Sequence, residues 1–325
     1  MNTFIFDELT GMPTVLATNR TKRRDDTGAV GKSAPEGTDK PSDNKEAGSV
    51  APKVCFFCKG NENLTPPAVY QDADDWNVRV FPNKFPIVPN HEIIVHSPDH
   101  DADLTELSHE QNVKYIRALL NRVNFYTSKE LEVMIFNNRG GTAGASLTHP
   151  HSQLVALKGF PGNIELEKSH GLNYYNEHGS CYWCDLIKTE RALGTRIVYE
   201  STHFMLIVPK ASRWSYEMIL LPKKHNPNFE YMNEVEINDV SRILKAALSA
   251  YDKLFSRPDR NFWVHTQRYD PFHWHVGFIP HIKVFGGLEL GAGIWVSDKA
   301  TPEDAASTLG EVVKKNYEEQ KTSLV

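Results

Sequence analysis

The sequence predicts an α+β fold made of two tandem units packed into one pseudo-symmetric body. Three observations predict it. Two C-x-x-C motifs, Cys55/Cys58 and Cys181/Cys184, each open a similar run of elements. Two H-x-H motifs, His149-Pro150-His151 and His273-Trp274-His275, each close one. The third observation is spacing: Cys55 to His100 is 45 residues and His100 to His149 is 49, while Cys181 to His225 is 44 and His225 to His273 is 48. So small a mismatch over such distances marks an internal duplication. The expected units are 1–178 and 179–325, with the chemistry in the first.

The bulk numbers set bounds. At 325 residues the chain is long enough for two domains of ordinary size. A hydrophobic content of 40% with 24% charged residues is ordinary for a globular protein. A net charge of -5 argues against broad binding to nucleic acid or an anionic membrane, so any phosphate site must be built locally. No apolar run approaches the roughly 20 residues of a membrane span. Met1-Asn2-Thr3-Phe4 lacks the basic-then-apolar pattern of a leader, and the expected location is the cytoplasm. In that reducing compartment, two C-x-x-C pairs suit metal binding better than disulfides.

Residues 3–18 read as two edge strands around the turn Asp7-Glu8-Leu9-Thr10-Gly11. From 19 to 53 large apolar residues almost vanish, which predicts an exposed, mobile loop. Its basic start, Arg20, Lys22, Arg23 and Arg24, reads as a solvated charge run rather than a substrate-binding arm. Cys55 to Glu62 reads as a knuckle-like turn, followed by strands at 76–81 and 91–96. A capping box, Ser108 to Gln111, predicts a helix through Val113, Ile116, Leu119 and Val123. A strand at 132–136 leads to a glycine-rich loop, 137–146, where small residues such as Gly144 let backbone N–H groups approach an anion. The stretch 147–155 reads as a strand, whose period places His149, His151 and Gln153 on one face. The second half predicts strands at 196–199, 204–208 and 217–222. After them come a helix through Ile237, Val240, Ile243, Leu244, Ala247, Leu248 and Tyr251, then a strand at 261–265.

Each half thus offers two thiols and two imidazoles, the donor set of a closed tetrahedral zinc site. The expected ligands are Cys55, Cys58, His100 and His149 in one half, and Cys181, Cys184, His225 and His273 in the other. Both sites read as structural, and zinc on His149 would fix the strand that presents His151. A neutral imidazole is a competent nucleophile near pH 7 and forms a phosphoramidate that passes its phosphoryl group on. Gln153 adds amide donors for a phosphoryl oxygen. A packed or metal-bound histidine pair remains the alternative for an isolated H-x-H. In the second half, Val276 and Gly277 stand where the first has Ser152 and Gln153, so catalysis is assigned to the first.

These motifs resemble the galactose-1-phosphate uridylyltransferase family, within the histidine-triad superfamily. The resemblance rests on Asp7-Glu8-Leu9-Thr10-Gly11, Cys55-Phe56-Phe57-Cys58-Lys59-Gly60-Asn61-Glu62, Arg79-Val80-Phe81-Pro82-Asn83-Lys84-Phe85, Gly144-Ala145-Ser146 and His149-Pro150-His151-Ser152-Gln153. It implies two histidine-triad-like units. It also implies an exchange in which His151 attacks the α-phosphorus of UDP-glucose, releases glucose-1-phosphate, and passes UMP to galactose-1-phosphate. By the same resemblance Asn83 and Asn138 contact the nucleotide, Ser146 and Gln153 hold phosphates, Glu289 binds sugar hydroxyls, and the chain is a homodimer. Gly291-Ala292-Gly293-Ile294-Trp295 lacks a glutamine of the longer members, and the second half keeps a cysteine pair they lack. Both features are similar to a shorter branch that includes an ADP-glucose phosphorylase, for which phosphate is the acceptor. The expected partners are therefore a nucleotide sugar and a sugar-1-phosphate, or phosphate. A zinc-stabilised nucleotide-binding protein without turnover is the non-enzymatic alternative.

Overall fold

Largely buried apolar strands and amphipathic helices assemble here into one ten-stranded antiparallel sheet backed by helices. The computed structural model describes residues 3–20 and 54–322. In chain order the elements are β1 (Thr3–Phe6), β2 (Pro13–Leu16), β3 (Tyr70–Gln71), β4 (Arg79–Pro82), β5 (Asn90–Val95), α1 (His109–Thr127), β6 (Glu132–Arg139) and β7 (His151–Leu157). Two helices follow, α2 (Asn163–His178) and α3 (Tyr182–Leu193). The second half then continues with β8 (Ile197–Glu200), β9 (Phe204–Ile207), β10 (Met218–Pro222), α4 (Glu234–Leu254), β11 (Arg260–Thr266), β12 (His275–Pro280), α5 (Gly287–Ala292) and α6 (Pro302–Thr322).

The strand order is β3-β4-β5-β7-β6-β11-β12-β10-β9-β8, and β1 pairs with β2 in a separate hairpin. Read outward from the β6–β11 seam, the order is the same in both directions. This is the duplication seen as topology. The seam is a continuous ladder from Val133↔Thr266 to Arg139↔Arg260. One apolar core spans both halves and includes Val113, Ile116 and Leu119 of α1 together with Val240, Ile243 and Leu244 of α4. Polar cross-links hold the two helices in register, among them His109 Nε2 to Asn238 Oδ1 at 2.9 Å. No helix among the described residues is long and apolar enough to cross a membrane.

Several expectations need correction. The expected strand at 147–155 begins only at His151, because Pro150 has no N–H for the ladder and His149 turns back toward the cysteines. His151 and Gln153 share a face, whereas His149 precedes the strand. The expected capping box of α1 is half formed: Ser108 accepts from the Gln111 N–H, but the Gln111 amide donates to Asn77 and His96 carbonyls at 2.8 and 2.7 Å. The expected loop 19–53 lies outside the described residues from residue 21 onward, and Lys22, Arg23 and Arg24 lie there too. Asn19 and Arg20 belong to a short turn of 3-10 helix, with side chains donating to the Pro86 and Phe85 carbonyls at 3.1 Å each. Helices α2, α3, α5 and α6 were not anticipated. The expected domain boundary, 178/179, falls between α2 and α3.

Candidate active site

The first C-x-x-C turn, the end of β5 and the approach to β7 bring Cys55, Cys58, His100 and His149 together. Their donor atoms all lie within 4.8 Å of one another. Cys58 Sγ is 3.3 Å from His100 Nδ1 and 3.6 Å from His149 Nδ1, and Cys55 Sγ is 3.5 Å from His149 Nδ1. With Zn–S near 2.3 Å and Zn–N near 2.0–2.1 Å, the S···N edge of a tetrahedron is about 3.6 Å, so the donors fit. His149 Nε2 donates to the Ser97 carbonyl at 3.0 Å, which leaves Nδ1 bare for a metal. Burial pushes His149 down to about 4, so it is neutral at pH 7. The second set, Cys181, Cys184, His225 and His273, repeats this geometry. Cys184 Sγ lies 3.4 Å from His225 Nδ1 and 3.6 Å from His273 Nδ1, and His273 Nε2 donates to the Pro222 carbonyl at 2.8 Å.

Two residues past the first set, His151 is held by its own chain. Its Nδ1 lies 2.9 Å from the His149 carbonyl, which can only accept, so Nδ1 carries the proton and Nε2 keeps its lone pair. The Asn137 amide donates to the His151 carbonyl at 2.8 Å, and the Phe57 ring meets the imidazole edge-on at 5.1 Å. A cavity of about 430 Å³ opens before this face, with Asn83, Gly144, Ser146, Gln153 and Arg20 in its wall. The placement of Arg20 corrects its reading as part of a solvated run.

The orientation of Gln153 follows from its neighbour. His91 Nδ1 accepts from the Ile87 N–H at 3.0 Å, so His91 Nε2 carries the proton and donates to Gln153 Oε1 at 2.9 Å. The Gln153 amide N–H groups are then left for the cavity. His91 was missed by sequence reasoning, which placed it only as a strand residue. The glycine-rich loop is tied down from the other half: Asp259 accepts from the Thr142 N–H at 2.7 Å, and the Asn261 amide donates to Asn138 Oδ1 at 2.8 Å and to the Ala143 carbonyl at 3.0 Å. At Gly140, where φ is +87°, a Cβ would run into the Asp259 carboxylate. Asn138 lines a smaller neighbouring cavity of about 210 Å³ that also reaches His151.

Glu289 is placed apart from these residues. It is absent from the walls of both His151 cavities. It sits on α5, not on a strand, accepting from the Gly286 N–H at 3.1 Å and pairing with Lys283 at 3.2 Å. Exposed apolar residues flank it, including Val284, Leu288 and Leu290. In the second half, His275 repeats the anchor of His151, its Nδ1 lying 3.1 Å from the His273 carbonyl. Glu167 of α2 covers its other nitrogen at 3.7 Å and accepts from His265 Nδ1 at 2.8 Å. Glu167, His265 and His275 form a third cluster able to hold a metal; sequence reasoning missed Glu167 because α2 was missed, and read His265 only as a strand residue.

The sequence profile described as galactose-1-phosphate uridyl transferase, N-terminal domain, matches residues 90–161, and its C-terminal counterpart matches 167–321. A galactose-1-phosphate uridylyltransferase of Haemophilus influenzae is 30% identical over 242 residues, covering 70% of this chain and 68% of that protein. The chain belongs to the galactose-1-phosphate uridylyltransferase family. An ADP-glucose phosphorylase of Arabidopsis thaliana is 26% identical over 309 residues, covering 85% and 86% of the two chains. Among solved structures, a GalT-like protein of Arabidopsis thaliana superposes with a TM-score of 0.73 at 27% identity, covering 80% of this chain and 92% of that one. An Arabidopsis thaliana ADP-glucose phosphorylase with bound ADP-glucose shares the fold at a TM-score of 0.73 and 24% identity, over 96% and 99% of the chains. The family relatives act in nucleotidyl transfer, and the chain is an α+β member of this group.

Proposed function

We propose that the protein transfers a nucleotidyl group from a nucleotide sugar through a covalent adduct on His151. One observation carries this reading: the His149 carbonyl accepts the hydrogen bond of Nδ1–H, which keeps the proton on Nδ1 and makes Nε2 the lone-pair nitrogen at the cavity. In the first step the Nε2 lone pair attacks the α-phosphorus, a P–N bond forms, and the P–O bond to the hexose-1-phosphate breaks. Nδ1 keeps its proton, and its hydrogen bond stabilises the resulting imidazolium. Gln153, its amide oriented by His91, donates to the charge that builds on the phosphoryl oxygens, with Ser146 and Gly144 beside it. In the second step an acceptor oxygen attacks phosphorus and the P–N bond breaks. Asn83 and Asn138 are the nucleotide contacts in this reading.

Two finer reactions have support. The match to the ADP-glucose phosphorylase runs along most of both chains, and it favours ADP-glucose as donor with phosphate as acceptor. The identity with the uridylyltransferases favours UMP exchange between UDP-glucose and galactose-1-phosphate. We further propose that both Cys₂His₂ sets hold Zn²⁺, that four ligating thiols suit the cytoplasm, and that the apolar segment around Glu289 docks on a second copy in a homodimer. The test of the reaction is intact-mass analysis after brief incubation with ADP-glucose or UDP-glucose and no acceptor. An AMP or UMP adduct that maps to His151, is absent in His151→Ala and is discharged by the matching acceptor is expected. Turnover by His151→Ala at the wild-type rate would remove the mechanism.

A further inference from the structure

Three of the segments that wall the His151 cavity are the centre of C-x-x-C, with Phe56 and Phe57; the loop between β4 and β5, with Asn83; and the residues before H-x-H, with Leu147. The matching segments of the second half, together with α2, wall a cavity of about 560 Å³. Tyr182 and Trp183 come from the centre of its C-x-x-C, Arg213 from the loop between β9 and β10, and Tyr269 and Pro271 from just before its H-x-H. Leu147 and Pro271 each stand two residues ahead of the first histidine. The proposed reaction uses none of these second-half residues.

Two differences separate this cavity from the first. Glu167 of α2 covers His275 Nε2, the atom that corresponds to the nucleophile. Gly277 stands where Gln153 would, beneath the Trp263 ring, which leaves no room for a side chain. The second cavity therefore has a carboxylate against its corresponding nitrogen and lacks the amide of the first. Its walls still suit a flat ring joined to an anion. Tyr174, Tyr182 and Trp183 form a chain of edge-on rings at 5.4 and 5.3 Å, and His170 and Arg213 line the same space with Glu167 and with Lys168, which pairs with Glu132 at 2.6 Å. The Tyr269 hydroxyl is shielded from solvent and has no hydrogen-bond partner among the described residues, so a ligand's ring nitrogen or sugar hydroxyl would complete it.

We infer that the C-terminal half holds a second, non-catalytic nucleotide-binding site, walled by Tyr182, Trp183, Arg213 and Tyr269. The ligand class, a nucleoside phosphate, rests on the proposed reading of the His151 cavity. Aromatic faces take the base and the cations take the phosphate. The test is equilibrium dialysis of the full-length His151→Ala protein, which cannot form the adduct, against labelled ADP and, separately, UDP. Two equivalents per chain are expected with at least one of them. Adding Arg213→Ala, or in a separate protein Tyr269→Ala, should weaken one equivalent at least tenfold and leave the other, whose retention shows that the variant is folded. A single equivalent with both nucleotides, or two equivalents that neither substitution affects, overturns the inference. Adduct formation by the wild-type chain is scored independently, so failure here leaves the reaction standing, and failure of the adduct leaves the stoichiometry to be read.

Discussion

His151 and Gln153 show how single side chains acquire a role from their hydrogen bonds rather than from their identity alone. In the proposed reaction the imidazole can serve as nucleophile because a carbonyl fixes its tautomer, and the amide points its donors outward because His91 donates to its oxygen. Replacing Gln153 with Ala should lower kcat/KM by about 10²–10³-fold, the usual loss of one preorganised donor at a phosphoryl-type transition state, with the fold intact. His91→Phe should give part of the same loss by freeing the amide to rotate, read as a slower rate of adduct formation. His96, behind the strand, makes a different prediction. It is fully buried, with Nε2 2.8 Å from Ser152 Oγ, and burial pushes it down to about 3. Below pH 6.5 the unfolded chain gains a proton there and the folded chain does not until pH nears 3, so the unfolded state binds more protons across that window. Stability must then fall as pH drops, by about 1.4 kcal/mol per unit for this group. Urea titrations at pH 6.5 and 5.5 should show a steeper loss for wild type than for His96→Gln. Equal slopes would mean that His96 is not held neutral.

At the scale of elements, β12 carries the clearest contrast with its counterpart β7. Trp263 on β11 lies over Gly277, and a Cβ there would meet the indole at 2.6–2.7 Å. Writing the first-half residue into the second, as Gly277→Gln, should therefore destabilise by about 1–3 kcal/mol and lower Tm, because the core overpacks. An unchanged Tm would mean the indole can move aside. Arg122 of α1 and Glu92 of β5 make the opposite case, a buried two-point ion pair at 2.9 and 2.7 Å joined by the Tyr126 hydroxyl at 2.7 Å. Arg122→Ala should cost about 3–5 kcal/mol, since it strands a buried carboxylate. The sequence made α1, α4 and most strands legible because their apolar patterns are strong, but not β3, which is two residues long, or β12, which follows the second H-x-H. It hid α2, whose face buries Ile164 alone, and α3, whose apolar positions the cysteine pair overshadowed. The two Cys₂His₂ clusters were legible from spacing because a duplicated motif constrains itself. Glu167 and His91 were not, since their partners come from elements whose placement only the folded sheet reveals.

One ten-stranded sheet runs through both halves across the β6–β11 seam, and the second half steadies a loop of the first: Asp259 and Asn261 hold the glycine-rich loop. Glu289 breaks this pattern of self-sufficiency. Its carboxylate is on α5, buried against Lys283, with exposed apolar residues on either side and outside the cavities that His151 lines. If it binds the sugar, as the family resemblance implies, the most economical arrangement is that it reaches the His151 cavity of a second copy. Subunit mixing separates this from action within one chain. His151→Ala and Glu289→Ala should each be nearly inactive alone. In a mixed dimer one site regains His151 from one subunit and Glu289 from the other, so an equimolar mixture at equilibrium should recover about a quarter of wild-type activity. Action within one chain predicts no recovery, because every site would still lack one of the two side chains. Recovery should also fall on dilution below the dimer's dissociation constant, as the shared site comes apart with the interface.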